Sequence, residues 1–331
     1  MDICLPNIKI LATGGTIAGE APSNLQTTGY KSGAITIESL LQAVPEIERF
    51  ANISGEQITN VASPSLTLAD WLQMANRINQ LLAGNDTDGV VITHGTSTME
   101  ETAYFLNLVV NSDKPVVCVG AMRPGTAISA DGPMNLINAV QLAASKDAKG
   151  KGVLIALNDE INGARDATKT NTVSMETFKA PELGYLGYIQ NGRPYFYRTS
   201  TRRHTVTSEF SVESLTELPR VDIVLGYVND DAVHVDAALA AGAKGIVVAA
   251  PGHASLSKVL KAALISARQK GIVIVKTSRT GNGMVTRVTE DDQYGFVAGD
   301  NLNAQKARIL LMLSLTKTYE LGTIQRIFNE Y

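Results

Sequence analysis

GVVITHGTSTMEETAYFLNLVV, residues 89–110, is the stretch on which the fold turns. Gly89–Thr93 is a short unbroken run of apolar and β-branched residues, and Glu100–Val110 places apolar side chains at helical spacing. A continuous rather than alternating apolar run indicates a strand buried on both faces, as in a parallel sheet. Strand, glycine-containing turn and helix in succession are the repeating unit of an α/β fold. The same kind of strand recurs at Ile8–Ala12, Pro115–Gly120, Gly152–Asn158, Asp222–Gly226, Gly245–Ala249 and Ile272–Lys276. Helical patterns fall between them at Leu66–Leu82, Met134–Ala144, Leu256–Gln269 and Ala304–Leu315, with Thr67 as N-cap three residues before Asp70. The expected architecture is α/β, with a doubly wound, mainly parallel sheet.

The alternation breaks once. Residues 198–220 lack a helical period and carry Arg198, Arg202, Arg203 and Arg220 before the strand at Asp222. This segment reads as the connection between two domains: 1–205 as a larger N-terminal α/β domain, 206–219 as linker, and 220–331 as a smaller C-terminal α/β domain. A length of 331 residues fits two domains at ~100–200 residues each.

Composition excludes more than it assigns. With 29 Lys and Arg against 32 Asp and Glu, the formal charge is −3, which leaves no electrostatic footprint for nucleic acid or an anionic membrane. No run approaches the ~18 apolar residues of a membrane-spanning helix. The opening MDICLPNIKIL lacks a basic n-region and an apolar h-region, so the expected location is cytoplasmic, or periplasmic for a processed mature form. Cys4 and Cys118 are too few for a disulfide framework, and Cys118 reads as a buried small hydrophobe. His94, His204, His234 and His253 show no metal-ligand spacing, so neither a metal nor a cofactor is expected.

Ligands of open α/β sheets gather at the carboxyl ends of strands. Two strands lead into threonine- and glycine-rich turns there, Thr13-Gly14-Gly15-Thr16-Ile17-Ala18-Gly19 and His94-Gly95-Thr96-Ser97-Thr98. Glycine lets the backbone approach a ligand closely, and a helix start offers free N–H groups to an oxyanion or carboxylate. Neither turn is a phosphate loop, because GxxxxGK[ST] is absent and the first turn does not fit GxGxxG.

ATGGTIAG at 12–19, ITHGTSTMEET at 92–102, VGAMRPGTAISADGPMNL at 119–136 and LNAQKAR at 302–308 closely resemble the signature segments of bacterial L-asparaginases. The resemblance runs from Ile8 to the closing QRIFNEY and points to the type II asparaginase or glutaminase-asparaginase branch. It implies a two-domain asparaginase-like fold and a homotetramer whose active sites are shared between subunits. It also implies an amidohydrolase with Thr16 as nucleophile, Tyr30 assisting from the following loop, and Thr96 working with Lys169. A threonine hydroxyl is a poor nucleophile and needs such a partner to take its proton. Backbone N–H groups around Gly95 and Ala121 are the implied oxyanion donors. Without the family, Lys169 reads as a surface lysine and Tyr30 as a loop aromatic.

Four positions depart from the family pattern. Ser97 replaces the acid that follows the second threonine, and Pro64 follows Ser63 where the family has Gln or Glu. Ser255 aligns with an asparagine, and Val288 with a glutamate. The resemblance assigns these four side chains to the α-ammonium group of the substrate, and Ser63, which is retained, to its α-carboxylate. The expected substrate is therefore a small carboxylate-bearing amide, imide or acyl compound without a free α-ammonium. Arg287 and His253 are candidates for recognising an additional acid group. The alternatives are a conventional or weak asparaginase or glutaminase in which Glu290 or Asp291 compensates, and a non-catalytic binding homologue or inactivated variant.

Overall fold

The structure, a computed structural model, describes residues 5–29 and 36–331. Cys4 and Tyr30 lie outside the described residues. The chain divides into two compact units, Met1–Ser214 and Leu215–Tyr331.

The first unit runs β1 (Asn7–Gly14), α1 (Ile37–Gln42), β2 (Asn52–Val61), α2 (Leu68–Ala83), β3 (Gly89–Thr93), α3 (Met99–Val109), β4 (Val116–Val119), α4 (Gly132–Ala143), β5 (Val153–Leu157), β6 (Glu160–Gly163), β7 (Thr168–Lys169), β8 (Phe178–Lys179), β9 (Gly187–Gln190) and β10 (Arg193–Phe196). Its main sheet has the order β10-β9-β6-β5-β4-β3-β1-β2. Pairing is parallel from β2 through β5. It is antiparallel from β5 through β10. Two tight turns cause that reversal: Asn158 and Asp159 join β5 to β6 with φ of 55° and 61°, and Asn191-Gly192 joins β9 to β10. Positive φ at both central residues matches the right-handed twist of the flanking strands.

Alternate residues of the parallel strands, Ile8, Ile10, Val91, Val117 and Val119, share one apolar cluster with α1 and α4. Leu11, Val90, Ile92 and Cys118 are equally buried but stand outside that cluster, on the face that carries α2 and α3. There the Trp71 ring stacks on Phe105 at 5.1 Å. Burial on both faces explains why these strands read as continuous apolar runs. Burial also pushes the Cys118 thiol up to about 12. The helix over 68–83 begins where expected, with Thr67 and Asp70 forming reciprocal capping bonds.

The second unit contains β11 (Val221–Leu225), α5 (Val233–Ala240), β12 (Gly245–Ala250), α6 (Pro251–Ala254), α7 (Lys258–Gln269), β13 (Val273–Ser278), α8 (Thr289–Tyr294), β14 (Phe296–Ala298), α9 (Ala304–Leu315) and α10 (Leu321–Glu330). Its sheet is parallel throughout, in the order β11-β12-β13-β14. Val235 and Ala238 of α5 join Leu260, Leu264 and Ala267 of α7 over the strands. Among the described residues no helix is long and apolar enough to cross a membrane. None of their His, Cys, Asp and Glu side chains form a group of three or more suited to a metal ion.

Candidate active site

Register aligns the ends of the parallel strands. Gly14 stands opposite Val61, Ala12 opposite Thr93, and Thr93 opposite Val119. The residues just beyond these ends are Ser63 after β2, Thr16 after β1, Thr96 after β3 and Ala121 after β4. Four of the expected site residues therefore follow the carboxyl ends of four adjacent strands, where the topology of an open sheet gathers ligands. All four are buried.

Two glycines let the loops touch. Gly15 has φ +84°, and a β-carbon there would lie 2.4 Å from Gly95 Cα. A β-carbon on Gly95 would in turn lie 2.7 Å from Ser63 Oγ. The Thr98 hydroxyl donates to the Ser63 carbonyl at 3.0 Å, fastening the second threonine loop to the turn after β2. The loop carrying Ala121 is held by Asp131, whose carboxylate accepts the N–H groups of Met122 and Arg123 at 2.9 Å. Asn135 Nδ2 donates to the Gly120 carbonyl at 3.1 Å.

Lys169 arrives from a different element. It sits half-buried on β7, and its Nζ donates to Thr96 Oγ1 at 2.8 Å across 73 residues of sequence. Burial holds this amine below the ordinary lysine range. Ser97, next to Thr96, is exposed and brings no charge to the pair, and Pro64 is exposed beside Ser63.

Sequence reasoning missed the support beneath Gly95. Trp71 Nε1 donates to Thr102 Oγ1 at 3.0 Å, Thr102 Oγ1 lies 2.9 Å from His94 Nε2, and His94 Nδ1 lies 2.7 Å from the Gly95 carbonyl. The indole can only donate and the carbonyl can only accept, so His94 carries its proton on Nδ1 and accepts at Nε2. Burial pushes His94 down to about 4, consistent with that neutral form. Periodicity gives no hint of such a chain, because its members come from three elements.

Ser255 and Val288, the other two positions expected to depart from the family pattern, lie in the second unit, on adjoining loops. Ser255 follows α6 and is exposed, and Val288 precedes α8 and is 39% exposed. Thr286 N–H donates to His253 Nε2 at 3.0 Å, and Ser278 Oγ donates to the Gly252 carbonyl at 2.6 Å. The charged groups around Val288 are already matched. Glu290 pairs with Lys261 at 2.6 Å, Asp291 with Lys276 at 2.6 Å, and Arg287 with Asp292.

Comparison with known proteins decides the family. Residues 7–202 match the domain described as "Asparaginase, N-terminal", and residues 220–328 match the "Glutaminase/Asparaginase C-terminal domain". The chain belongs to the asparaginase family. It is an amidohydrolase of that family, with the expected two-domain α/β fold. It is 55% identical over 327 residues to the "L-asparaginase 2" of Bacillus subtilis (strain 168), covering 99% of this chain and 87% of that protein. It is 47% identical over 330 residues to the "Glutaminase-asparaginase" of Pseudomonas fluorescens biotype A, covering 99% of this chain and 91% of that one. Among solved structures, the "Probable Cytoplasmic L-asparaginase" of Campylobacter jejuni superposes with a TM-score of 0.97 at 50% identity, over 98% of this chain and 100% of that one.

Proposed function

We propose that this asparaginase-family amidohydrolase works on a small, carboxylate-bearing amide, imide or related acyl compound that lacks a free α-ammonium. The observation that carries the reading is the Lys169–Thr96 hydrogen bond of 2.8 Å standing beside an uncharged, exposed Ser97. The reacting groups are retained while the handles for an ammonium are not.

In the first half-reaction Thr16 Oγ1 attacks the amide carbon, with Tyr30 taking its proton. The tetrahedral oxyanion is met by backbone N–H groups near Gly95 and Ala121. Collapse breaks the C–N bond, and the leaving nitrogen takes from Tyr30 the proton that came from Thr16 and departs as ammonia, so an ester remains on Thr16. In the second half-reaction, neutral Lys169 draws a proton through Thr96 from the water that attacks this ester; the C–O bond to Thr16 then breaks, the proton returns to Thr16 Oγ1, and the carboxylic acid product leaves. General-base assistance of this kind contributes ~10²–10⁴-fold. Burial favours the neutral amine, and no carboxylate at position 97 opposes it. Ser63 receives the substrate carboxylate.

An ammonium enclosed without its acidic partners costs roughly 3–5 kcal/mol. That corresponds to about 10²-fold or more against L-asparagine. A conventional L-asparaginase or glutaminase activity is the second reading. The near full-length identity to proteins bearing those names favours it. We further assign a homotetramer, in which Ser255 and Val288 face the site of a neighbouring subunit. The exposed apolar side chains Ile223, Leu225 and Val228 of the second unit support self-association, which sedimentation equilibrium would measure. A cytoplasmic location accords with the description of the Campylobacter neighbour.

The deciding experiment is ammonia release from L-asparagine, L-glutamine and succinamate, compared as kcat/KM. Faster turnover of succinamate supports the first reading, and faster turnover of L-asparagine supports the second. Ligand-dependent thermal shifts with no turnover of any of them would leave a binding protein.

A further inference from the structure

The relay from Lys169 to Thr96 works only if Lys169 is held in place, yet its strand is a slight one. β7 is two residues long and pairs with β8, also two residues, in a small sheet separate from the main one. Lys169 stands opposite Phe178 in that ladder. Two such residues provide little cooperative pairing of their own, since isolated short hairpins are marginal in water.

A second anchor comes from α3. Glu100, in the first turn of that helix and 6% exposed, accepts the backbone N–H of Lys169 on Oε2 at 3.0 Å. The same segment carries Thr96 just before the helix starts. One rigid element thus holds both partners of the pair, Thr96 through the chain and Lys169 through the Glu100 carboxylate.

We propose that Glu100 is a positioning residue for the Thr96–Lys169 pair, acting on the proposed reaction through the backbone of Lys169. This rests on the relay reading given above. Glu100 acts by placement, through the contact of its Oε2 with the Lys169 backbone N–H. It follows that an uncharged side chain of the same shape, with an acceptor oxygen, should suffice. A misplacement on the order of 1 Å costs about 10²-fold in rate even when binding survives.

The test uses the full-length chain with succinamate and L-asparagine as probes, and follows hydrogen exchange of the Lys169 amide in parallel. Glu100→Ala should lower kcat roughly 10- to 100-fold with KM changed less than about threefold, and should speed exchange of that amide. Glu100→Gln should keep kcat within about threefold of the parent and retain amide protection. A purely structural role predicts instead a lower melting temperature with kcat per folded molecule unchanged in both variants, and that result overturns the proposal. An equal loss in the Gln and Ala variants overturns it too, because charge rather than placement would then be the cause. Should the alanine variant fail to fold, Glu100→Asp takes its place: it keeps the charge but withdraws the oxygen, and is expected to lose rate where Glu100→Gln does not. If neither probe is turned over by the parent, the exchange comparison decides alone. Lys169→Met separates the two levels. Parent-like kcat in that variant refutes the relay itself, whereas an inactive Lys169→Met beside a parent-like Glu100→Ala refutes only the positioning role.

Discussion

Replacing Ser97 with aspartate should move the substrate preference toward amino acids, and the size of the move follows from where Ser97 sits. The residue adjoins Thr96 and is exposed in the isolated chain. A carboxylate and an ammonium ~4 Å apart attract by ~1 kcal/mol in bulk water and ~4 kcal/mol at the effective dielectric of a protein surface. An exposed position from which much of the water is displaced when substrate binds lies between these limits, at roughly 1.5–3 kcal/mol. At ~1.4 kcal/mol per tenfold, Ser97→Asp should raise the ratio of kcat/KM for L-asparagine over succinamate roughly 10- to 100-fold. The assay couples released ammonia to NADH oxidation by glutamate dehydrogenase, with both substrates at subsaturating concentration. Using the ratio removes any effect of the new carboxylate on Lys169, because both substrates share that base. A single acid should restore only part of the discrimination, and adding Val288→Glu and Pro64→Gln should extend it. A ratio that moves less than about threefold would refute the reasoning, as would a parent enzyme that already prefers L-asparagine.

The remaining expectations use the same site. Because burial favours neutral Lys169, kcat/KM should rise with pH along a limb set by that amine; Ser97→Asp, which stabilises the ammonium, should move the limb to higher pH, and coincident pH profiles would refute the base assignment. His94 is held at about 4 by burial against an ordinary value of 6.5, so its contribution to stability is whole above pH 6.5 and is lost as pH falls toward 4. The loss should reach about 3 kcal/mol near pH 4, and urea midpoints between pH 7.5 and 4 should fall less steeply in His94→Gln. Gly15→Ala combines a positive φ of +84° with a contact of 2.4 Å to Gly95, so it should both lower the melting temperature and abolish ammonia release. A strain of ~1–3 kcal/mol at such a position, before the clash is counted, sets the minimum loss expected in a denaturation curve.

Legibility in the sequence followed burial. β1, β3, β4, β5, β12 and β13 are enclosed on both faces and read directly as apolar runs. β2, Asn52–Val61, escaped notice because it is an edge strand of mixed exposure, and its polar sequence becomes a strand through pairing with β1. The hairpin of β9 and β10 did carry a signal, Asn191-Gly192, which is the strongest short-range mark of a tight turn. The strand ends singled out the two turns that carry Thr16 and Thr96, and the resemblance chose those threonines within them. Lys169 was not marked in this way, because its contact with Thr96 spans 73 residues and its strand is too short to show a period. Only the resemblance to known asparaginases singled it out. Glu100 and His94 gave no local signal either, since their roles lie in a hydrogen bond to another segment's backbone and in a buried chain of three side chains.

On the proposed reading, whether nearby acids could stand in for a glutamate at position 288 is decided by magnitudes. Asp291 is the closest in sequence with a fixed environment: it is fully buried, binds Lys276 at 2.6 Å and accepts the N–H of Val288 at 3.0 Å. To swing toward a substrate it would abandon Lys276, itself 4% exposed, and leave a buried cation alone. Breaking such a pair costs about 3–5 kcal/mol, which equals or exceeds what one new contact with an ammonium returns. Glu290 is freer, being more exposed, but its bond to Lys261 means that the group offered to a substrate is a matched pair rather than a bare carboxylate. The neighbours of Val288 therefore do not, on the proposed reading, make good the absence of an acid there. On that reading, a contact that serves the ground state and the transition state alike would, when absent, weaken kcat/KM for amino-acid substrates without touching the proposed Thr96–Lys169 relay. Adding acids at positions 97 and 288, rather than altering Thr96 or Lys169, is therefore the change expected, on the proposed reading, to restore an amino-acid substrate.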